Sequence, residues 1–188
     1  MFAHKRRVQR RGLLTWLRIY CLISMIKLER SLEENMDNFQ RKGSISNAHV
    51  GREFEEIVKK HLNSKGYSLI ENLSVAIGIS DRKKSHAFDL GSRPNKILVE
   101  CKAHTWTSGG NVPSAKITTW DQAMYYFAIS PPEFRKLFCM QRDLNPKTGE
   151  SLAEYYTRLR YHLIPKDVEF WEFDLLSGDV VRVSTPKE

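Results

Sequence analysis

The stretch HAFDLGSRPNKILVECK, residues 86–102, decides the fold of this chain. Residues 86–90 and residues 96–102 both read as strands, and the second run alternates its side chains clearly. Between them lies GSRPN, whose glycine, serine, proline and asparagine are typical of a turn. The pattern predicts two antiparallel strands joined in a hairpin.

The second predicted strand places its charged side chains on one face. Side chains two residues apart on a strand point to the same side, so Glu100 and Lys102 emerge together. Pairing across the predicted turn brings Asp89 beside Glu100, so that two carboxylates and an ammonium share one pocket. The opposite face carries Ile97, Val99 and Cys101.

Asp89, Glu100 and Lys102 together indicate a metal site. Adjacent carboxylates repel each other, and a divalent cation between them removes the repulsion. Carboxylate oxygens are hard ligands that suit Mg²⁺ or Mn²⁺. Such an ion lowers the pKa of a bound water, and a neighbouring lysine can orient that water, help deprotonate it or neutralise phosphate charge. This combination predicts phosphodiester hydrolysis.

Helices and further strands are predicted on both sides of the hairpin. A helix begins at Ser46 or Asn47, continues through apolar residues at helical spacing and ends by Gly66. Two further helices are predicted over residues 115–128 and 152–163. The predicted strands are residues 67–75, 86–90, 96–102, 136–141, 168–174 and 180–183. This order, α-β-β-β-α-β-α-β-β, predicts one α/β domain over residues 43–188, with a mixed sheet flanked by helices.

The hairpin motif resembles that of a known enzyme superfamily. Asp89, a gap of ten residues and then Glu100-Cys101-Lys102 are similar to the PD-(D/E)XK nucleases, although Phe88 stands where proline is usual. The resemblance implies a restriction-endonuclease-like fold and Mg²⁺-dependent cleavage of DNA, with Mn²⁺ able to substitute. It implies that Asp89, Glu100 and the carbonyl of Cys101 bind the metal, and that Lys102 positions or activates the water.

Two helical motifs extend the resemblance. Gly51-Arg52-Glu53-Phe54-Glu55 is similar to the acidic helix motif of the superfamily, and its spacing puts Glu55 at the border of the apolar face. The resemblance implies that Glu55 is an additional metal ligand. Gln122 and Tyr126 match the Q-x-x-x-Y signature of the exonuclease-type branch, which implies that Gln122 orients the site and that Tyr126 faces the pocket or the DNA backbone.

The loop after residue 102 is rich in hydrogen-bond donors and leads into the predicted helix 115–128. Donors and a lysine near a helix start suit phosphate groups, and an aromatic ring suits stacking. We expect DNA contacts from His104, Trp106, Asn111, Ser114 and Lys116.

Other polar residues are given structural roles. His49 and His86 have no second histidine or cysteine at metal-ligand spacing, so both are expected to be structural. Arg82, Lys83 and Lys84 are expected in a solvated loop, with phosphate contact as the alternative. No nucleophilic serine motif or phosphate-binding loop motif is present.

The composition limits the class of protein. The chain has 188 residues and a net charge of +8, and its 41% hydrophobic content allows a folded core. Residues 1–42 contain 10 Lys and Arg against 4 Asp and Glu, a net charge of +6, which leaves +2 for residues 43–188. The basic excess is therefore weak support for a nucleic-acid partner. Three cysteines without a paired motif predict a reducing, cytoplasmic setting.

The N-terminal segment, residues 1–42, has three interpretations. Its apolar stretch, residues 12–26, follows a basic run and is interrupted by Arg18. It is a signal or anchor segment, a basic amphipathic helix on a membrane or partner, or translated upstream sequence with Met25 or Met36 as the working start. An accessory or spurious leader is favoured, and membrane association is not.

The overall expectation is a Mg²⁺-dependent DNA endonuclease related to restriction or repair. A homodimer is expected, because two sites can then reach two strands. One alternative is a DNA-binding module of the same fold that does not cleave. The other is a membrane-binding or partner-binding protein led by its N-terminal segment.

Overall fold

The computed structural model describes residues 47–184. The N-terminal segment, with its apolar stretch and the alternative start residues, lies outside the described residues, as does Ser46. Within the described part, no helix has both the length and the apolar character needed to cross a bilayer.

Ten elements follow one another in the order predicted, with one added 3₁₀ turn. They are α1 (Asn47–Ser64), β1 (Ile70–Ile79), β2 (Arg82–Ser92), β3 (Ile97–Lys102), α2 (Ser114–Ala128), β4 (Arg135–Gln141), α3 (Leu152–Leu159), a 3₁₀ turn (Tyr161–Leu163), β5 (Val168–Phe173) and β6 (Val180–Val183). The prediction of an α/β fold with a mixed sheet and three helices is confirmed.

The six strands lie side by side in chain order. Strands β3, β4 and β5 are parallel, and the pairs β1–β2, β2–β3 and β5–β6 are antiparallel. Parallel neighbours need a crossover, and α2 and α3 with the 3₁₀ turn provide the two crossovers. The mixed sheet therefore follows directly from the alternation of helices and strands in the second half of the chain.

Alternation along β3 divides the core between the two faces of the sheet. Leu98 packs into one hydrophobic cluster with residues of α2 and α3. Val99 and Cys101 pack into the other cluster, with Phe54 and Val58 of α1. The predicted apolar face of β3 is thus buried under α1, which holds this helix against the strand that carries Glu100.

Several predicted boundaries are wrong. Strand β1 begins at Ile70 and not at residue 67, and it continues to Ile79. Arg82, Lys83 and Lys84 belong to β2, where they pair with residues of β1 and remain exposed. Charged side chains suit an exposed hairpin because only the backbone has to pair. The third predicted helix ends at Leu159, and a 3₁₀ turn completes the segment.

Gly91 belongs to β2, although its segment was predicted as a turn. A Cβ atom there would lie 2.4 Å from Leu73 Cδ2 and 2.9 Å from the carbonyl oxygen of Ile97. We therefore expect Gly91→Ala to lower the free energy of unfolding by about 1–3 kcal/mol through overpacking.

Gly51→Ala is the matched control for Gly91→Ala. A Cβ atom at Gly51 meets nothing within 4 Å, and the residue lies inside α1. This substitution should raise the free energy of unfolding by about 0.5–1 kcal/mol, since alanine favours a helix over glycine. Urea unfolding measures both changes. Equal midpoints for the two variants would contradict the close approach at Gly91.

Candidate active site

The β2–β3 hairpin brings the predicted hydrolytic residues together. Leu90 of β2 pairs with Val99 of β3. Continuing this antiparallel register places Asp89, the residue before Leu90, opposite Glu100. The carboxylate of Asp89 turns toward β3, and its Oδ2 accepts a hydrogen bond of 2.7 Å from the backbone N–H of Cys101. This bond fixes the Asp89 side chain against the strand that carries Glu100 and Lys102.

Three oxygen atoms surround the ammonium of Lys102. Its Nζ lies 2.8 Å from Glu100 Oε2, 3.1 Å from the carbonyl oxygen of Cys101 and 3.5 Å from Asp89 Oδ2. The side chains of Glu100, Lys102 and Asp89 are 9%, 17% and 28% exposed. The fold therefore builds one partly buried point at which three hard oxygen donors face a single positive charge.

Burial sets the charge states at this point. It raises the pKa of Glu100 to about 7, against the attraction of Lys102, and the charge of Asp89 acts in the same direction as burial. Burial acts to lower the pKa of Lys102, but the charges of Glu100 and Asp89 outweigh it, and that pKa lies above its ordinary value. Lys102 is therefore a cation at neutral pH, which suits it to neutralise phosphate or orient water rather than to accept a proton.

The raised pKa of Glu100 predicts a pH-dependent stability of the metal-free protein. The folded state holds the Glu100 proton up to about pH 7. The unfolded state loses it near its ordinary pKa of about 4.5. Stability from this group is therefore present below the unfolded pKa and is lost as the pH rises toward 7. Glu100→Gln, which keeps the shape without a charge, should gain stability relative to wild type as the pH increases.

Urea unfolding with EDTA present, between about pH 5 and pH 8, measures this difference. A constant difference between Glu100→Gln and wild type over that range would contradict the raised pKa.

Glu55 lies in the same cavity as Asp89 and Lys102. This cavity has a volume of about 300 Å³. Its lining residues come from α1, β2, β3, the loop after β3 and α2: Val50, Gly51, Glu55, Asp89, Cys101, Lys102, Ala103, His104, Lys116 and Thr119. Burial and then the charge of Asp89 raise the pKa of Glu55. The structure thus places the carboxylate of Glu55, on the helix where the sequence predicted it, near Asp89 and Lys102, whereas Glu100 does not line this cavity.

His104 is a neutral hydrogen-bond donor in this cavity. Its Nδ1 accepts a 2.8 Å hydrogen bond from the indole N–H of Trp120, whose ring is fully buried. Burial lowers the pKa of His104 to about 4, so the ring is uncharged at neutral pH and its proton is on Nε2. With Lys116 on the same wall, His104 offers a donor to an anionic ligand.

Four other predicted contacts lie away from the cavity. Gln122 is exposed and donates a 3.0 Å hydrogen bond to the hydroxyl of Tyr126, and neither side chain lines the cavity. Asn111 and Ser114 are exposed at the loop and the start of α2. The orienting role of Gln122 and the DNA contacts of Tyr126, Asn111 and Ser114 stay predictions.

Trp106 does not fit its predicted role. The residue is only 8% exposed, and its ring packs edge-on against Tyr155 at a centroid distance of 5.3 Å. Stacking on a nucleobase needs an exposed ring face. Trp106 is therefore a core residue in this structure, and a DNA contact from its ring stays a prediction that the observed burial does not favour.

His86, which was predicted to have only a structural role, lies beside Glu100. Its Nε2 lies 3.7 Å from Glu100 Oε1, and its ring contacts Tyr126 at a centroid distance of 4.1 Å. The one signal in the sequence is its position on β2, three residues before Asp89.

A second and larger cavity, of about 770 Å³, lies beside α3, β5 and β6. Its charged groups largely neutralise one another, since Arg158 bonds both carboxylate oxygens of Glu150 and Arg142 donates to Glu172. The smaller cavity, in contrast, places the carboxylates of Glu55 and Asp89 beside the ammonium of Lys102, with Lys116 also on its wall. It is therefore the better candidate for chemistry.

Within residues 47–184, no three His, Cys, Asp or Glu side chains lie close enough to hold a metal ion by themselves. The oxygen set around Lys102 differs from such a group because one donor is a backbone carbonyl. Comparison of the chain with models of protein families, with curated proteins and with solved structures gives no significant match. The site therefore has to be interpreted from its own chemistry.

Proposed function

We propose that the chain is a Mg²⁺-dependent nuclease that hydrolyses DNA phosphodiester bonds, with a restriction-endonuclease-like fold. The observation that supports this most is the convergence of Asp89 Oδ2, Glu100 Oε2 and the Cys101 carbonyl on one cation. All three are hard oxygen donors, which fit Mg²⁺ or Mn²⁺ better than softer ions.

The residues take distinct roles in this proposal. Asp89, Glu100 and the Cys101 carbonyl would hold the ion, and Glu55 adds negative charge on the α1 side of the cavity. The bound ion would supply an activated water and stabilise charge on the phosphate. Lys102 would give up its place among these oxygens to the ion, and its ammonium would orient the attacking water or neutralise a phosphate oxygen.

Donors on the opposite wall suit the substrate. The Nε2–H of His104 and the ammonium of Lys116 line the cavity, and both can hydrogen-bond phosphate oxygens. His104 remains neutral, so its contribution is a directed hydrogen bond, whereas Lys116 contributes charge. Water attacks phosphorus and the bond to one ester oxygen breaks, which leaves a phosphate monoester and a hydroxyl.

A cleavage assay tests the proposal. Purified protein is incubated with supercoiled plasmid, linear duplex, single-stranded DNA, branched DNA and RNA, each with Mg²⁺, with Mn²⁺ or with EDTA. Cleavage of a DNA substrate that stops with EDTA supports the proposal. Binding of DNA without cleavage in either metal would favour the non-cleaving module of the same fold.

The basic run on β2 predicts a contribution to DNA affinity. Lys83 and Lys84 are exposed and form no ion pair within the described part of the chain. Strand geometry places Lys83 about 20 Å from Asp89, since the two residues are six positions apart along β2. Lys83→Ala with Lys84→Ala should weaken DNA binding in EDTA and reduce the slope of log affinity against log salt by up to about 2.

Lys60→Ala, in α1, with Lys65→Ala, in the turn directly after it, removes the same charge from exposed positions and is the matched control. Fluorescence anisotropy with a labelled duplex at several salt concentrations gives both slopes. The same change of slope in both double variants would show that the β1–β2 hairpin makes no particular contact with DNA.

A further inference from the structure

His86 stands next to the carboxylate of Glu100 on the side away from Lys102. Lys102 donates to Glu100 Oε2, whereas the other oxygen, Oε1, lies 3.7 Å from His86 Nε2. The His86 side chain is 24% exposed, but its Nε2 atom is buried and has no hydrogen-bond partner among residues 47–184. A buried nitrogen without a partner is uncommon and calls for an explanation.

Two aromatic rings fix the direction of this nitrogen. Phe88 packs at nearly a right angle to the imidazole, with centroids 4.8 Å apart, and Tyr126 packs against it at 4.1 Å. Tyr126 is in turn held through its hydroxyl, which accepts a hydrogen bond from Gln122. The ring of His86 is therefore held between β2 and α2 with Nε2 directed toward Glu100.

A carboxylate that binds an ion through one oxygen is oriented by what holds its other oxygen. Lys102 has to leave Oε2 for an ion to take its place, and the carboxylate then loses the hydrogen bond from that ammonium. A movement of about 0.7 Å closes the gap between Nε2 and Oε1 to hydrogen-bond length.

We propose that His86 is a positioning residue for Glu100, whose Oε1 accepts the Nε2–H of the imidazole when Glu100 turns to hold the divalent ion through Oε2. This inference rests on the proposed function. It also gives Gln122 and Tyr126 a place in the site, because they support Glu100 through His86 rather than by contact with the cavity.

Two variants of His86 separate its hydrogen bond from its packing. His86→Phe keeps a flat ring against Phe88 and Tyr126 but has no donor, and His86→Gln keeps an amide donor at about the same reach. Calorimetric titration with Mn²⁺ should show about 10–100-fold weaker binding for His86→Phe, a range found when a group behind a metal ligand is removed. His86→Gln should retain most of the wild-type affinity. Thermal unfolding with EDTA present compares the folding of the three proteins.

A second readout needs no metal. Long-range ¹H–¹⁵N spectra of the metal-free protein should show the His86 proton on Nε2. Wild-type affinity in His86→Phe, equal losses in both variants, or a proton on Nδ1 would each overturn the positioning role. If wild type neither binds Mn²⁺ nor cleaves DNA, the proposed function is overturned, and the positioning role of His86 is overturned with it. If wild type binds Mn²⁺ and His86→Phe binds it with the same affinity, only the positioning role of His86 is overturned.

Discussion

Asp89→Ala is expected to reduce Mg²⁺-dependent DNA cleavage by about 10³-fold or more, comparable to or beyond the loss of a single charge-stabilising group in an active site. Asp89 supplies one of the three oxygens around the cation position. It also accepts the hydrogen bond from the backbone N–H of Cys101, which positions a second of those oxygens. Removal of this one carboxylate therefore disturbs two donors of the set.

The loss should appear as weaker metal binding and not as unfolding. The side chain of Asp89 is partly open to solvent, so water can replace the acceptor for Cys101 at a cost of about 1 kcal/mol in stability. Initial cleavage rates over a series of Mg²⁺ concentrations, with thermal unfolding in parallel, separate the two effects. Asp179→Ala removes an exposed carboxylate from the turn before β6 and should cleave as wild type. Equal activity of Asp89→Ala and Asp179→Ala would contradict the assignment of Asp89.

Lys102→Met is expected to lose cleavage by about 10²–10³-fold, the range for one group that stabilises transition-state charge. Its effect on metal binding should be opposite to that of Asp89→Ala. The ammonium contacts the same three oxygens that the ion would use, so the two cations compete for one position. Without the ammonium, Mn²⁺ should bind at least as tightly as in wild type.

Calorimetric titration with Mn²⁺ and cleavage assays on the same preparations test this separation. Lys60→Met, on the exposed side of α1, is the control for removal of a lysine and should change neither property. If Lys102→Met bound Mn²⁺ much more weakly than wild type, Lys102 would be a structural partner of the carboxylates. Its proposed role in the reaction would then be wrong.

The face of β3 that carries Glu100 and Lys102 could be predicted because alternation on a strand is a local property. Period-two patterning predicts that Glu100 and Lys102 face away from Val99 and Cys101. In the structure, Val99 and Cys101 pack under α1 and the ammonium of Lys102 contacts Glu100, although Lys102 and Cys101 both line the cavity. The helical spacing that places Glu55 beside an apolar face is also local. On both β3 and α1, burial of the apolar side chains determines which way the polar side chains point.

Contacts between distant parts of the chain could not be predicted in this way. Trp106 lies in a segment whose composition is typical of an exposed loop, yet its ring is buried against Tyr155, which is 49 positions later in the sequence. His86 meets Tyr126 only because α2 packs over β2. Nothing near either residue in the sequence specifies its partner, so burial and orientation came only from the three-dimensional arrangement.

The raised pKa of Glu100 also depends on contacts between distant parts of the chain. Its two charged neighbours are visible in the sequence motif, and they suggest an ionised carboxylate beside a lysine. Burial of Glu100 between β2, β4 and the helix-covered face outweighs the lysine and raises its pKa to about 7. The sequence motif therefore identifies the groups, whereas the fold decides their protonation.

The most direct measurement is a crystal structure of the protein with Mn²⁺ bound, with the ion located by its anomalous scattering. We predict one strong peak at about 2.2 Å from Asp89 Oδ2, Glu100 Oε2 and the carbonyl oxygen of Cys101, a typical length for a bond from Mn²⁺ to a hard oxygen ligand. The ammonium of Lys102 should be displaced from its contact with Glu100. No peak among these oxygens at saturating Mn²⁺, with Lys102 still on Glu100, would contradict a metal-dependent hydrolytic site at this hairpin.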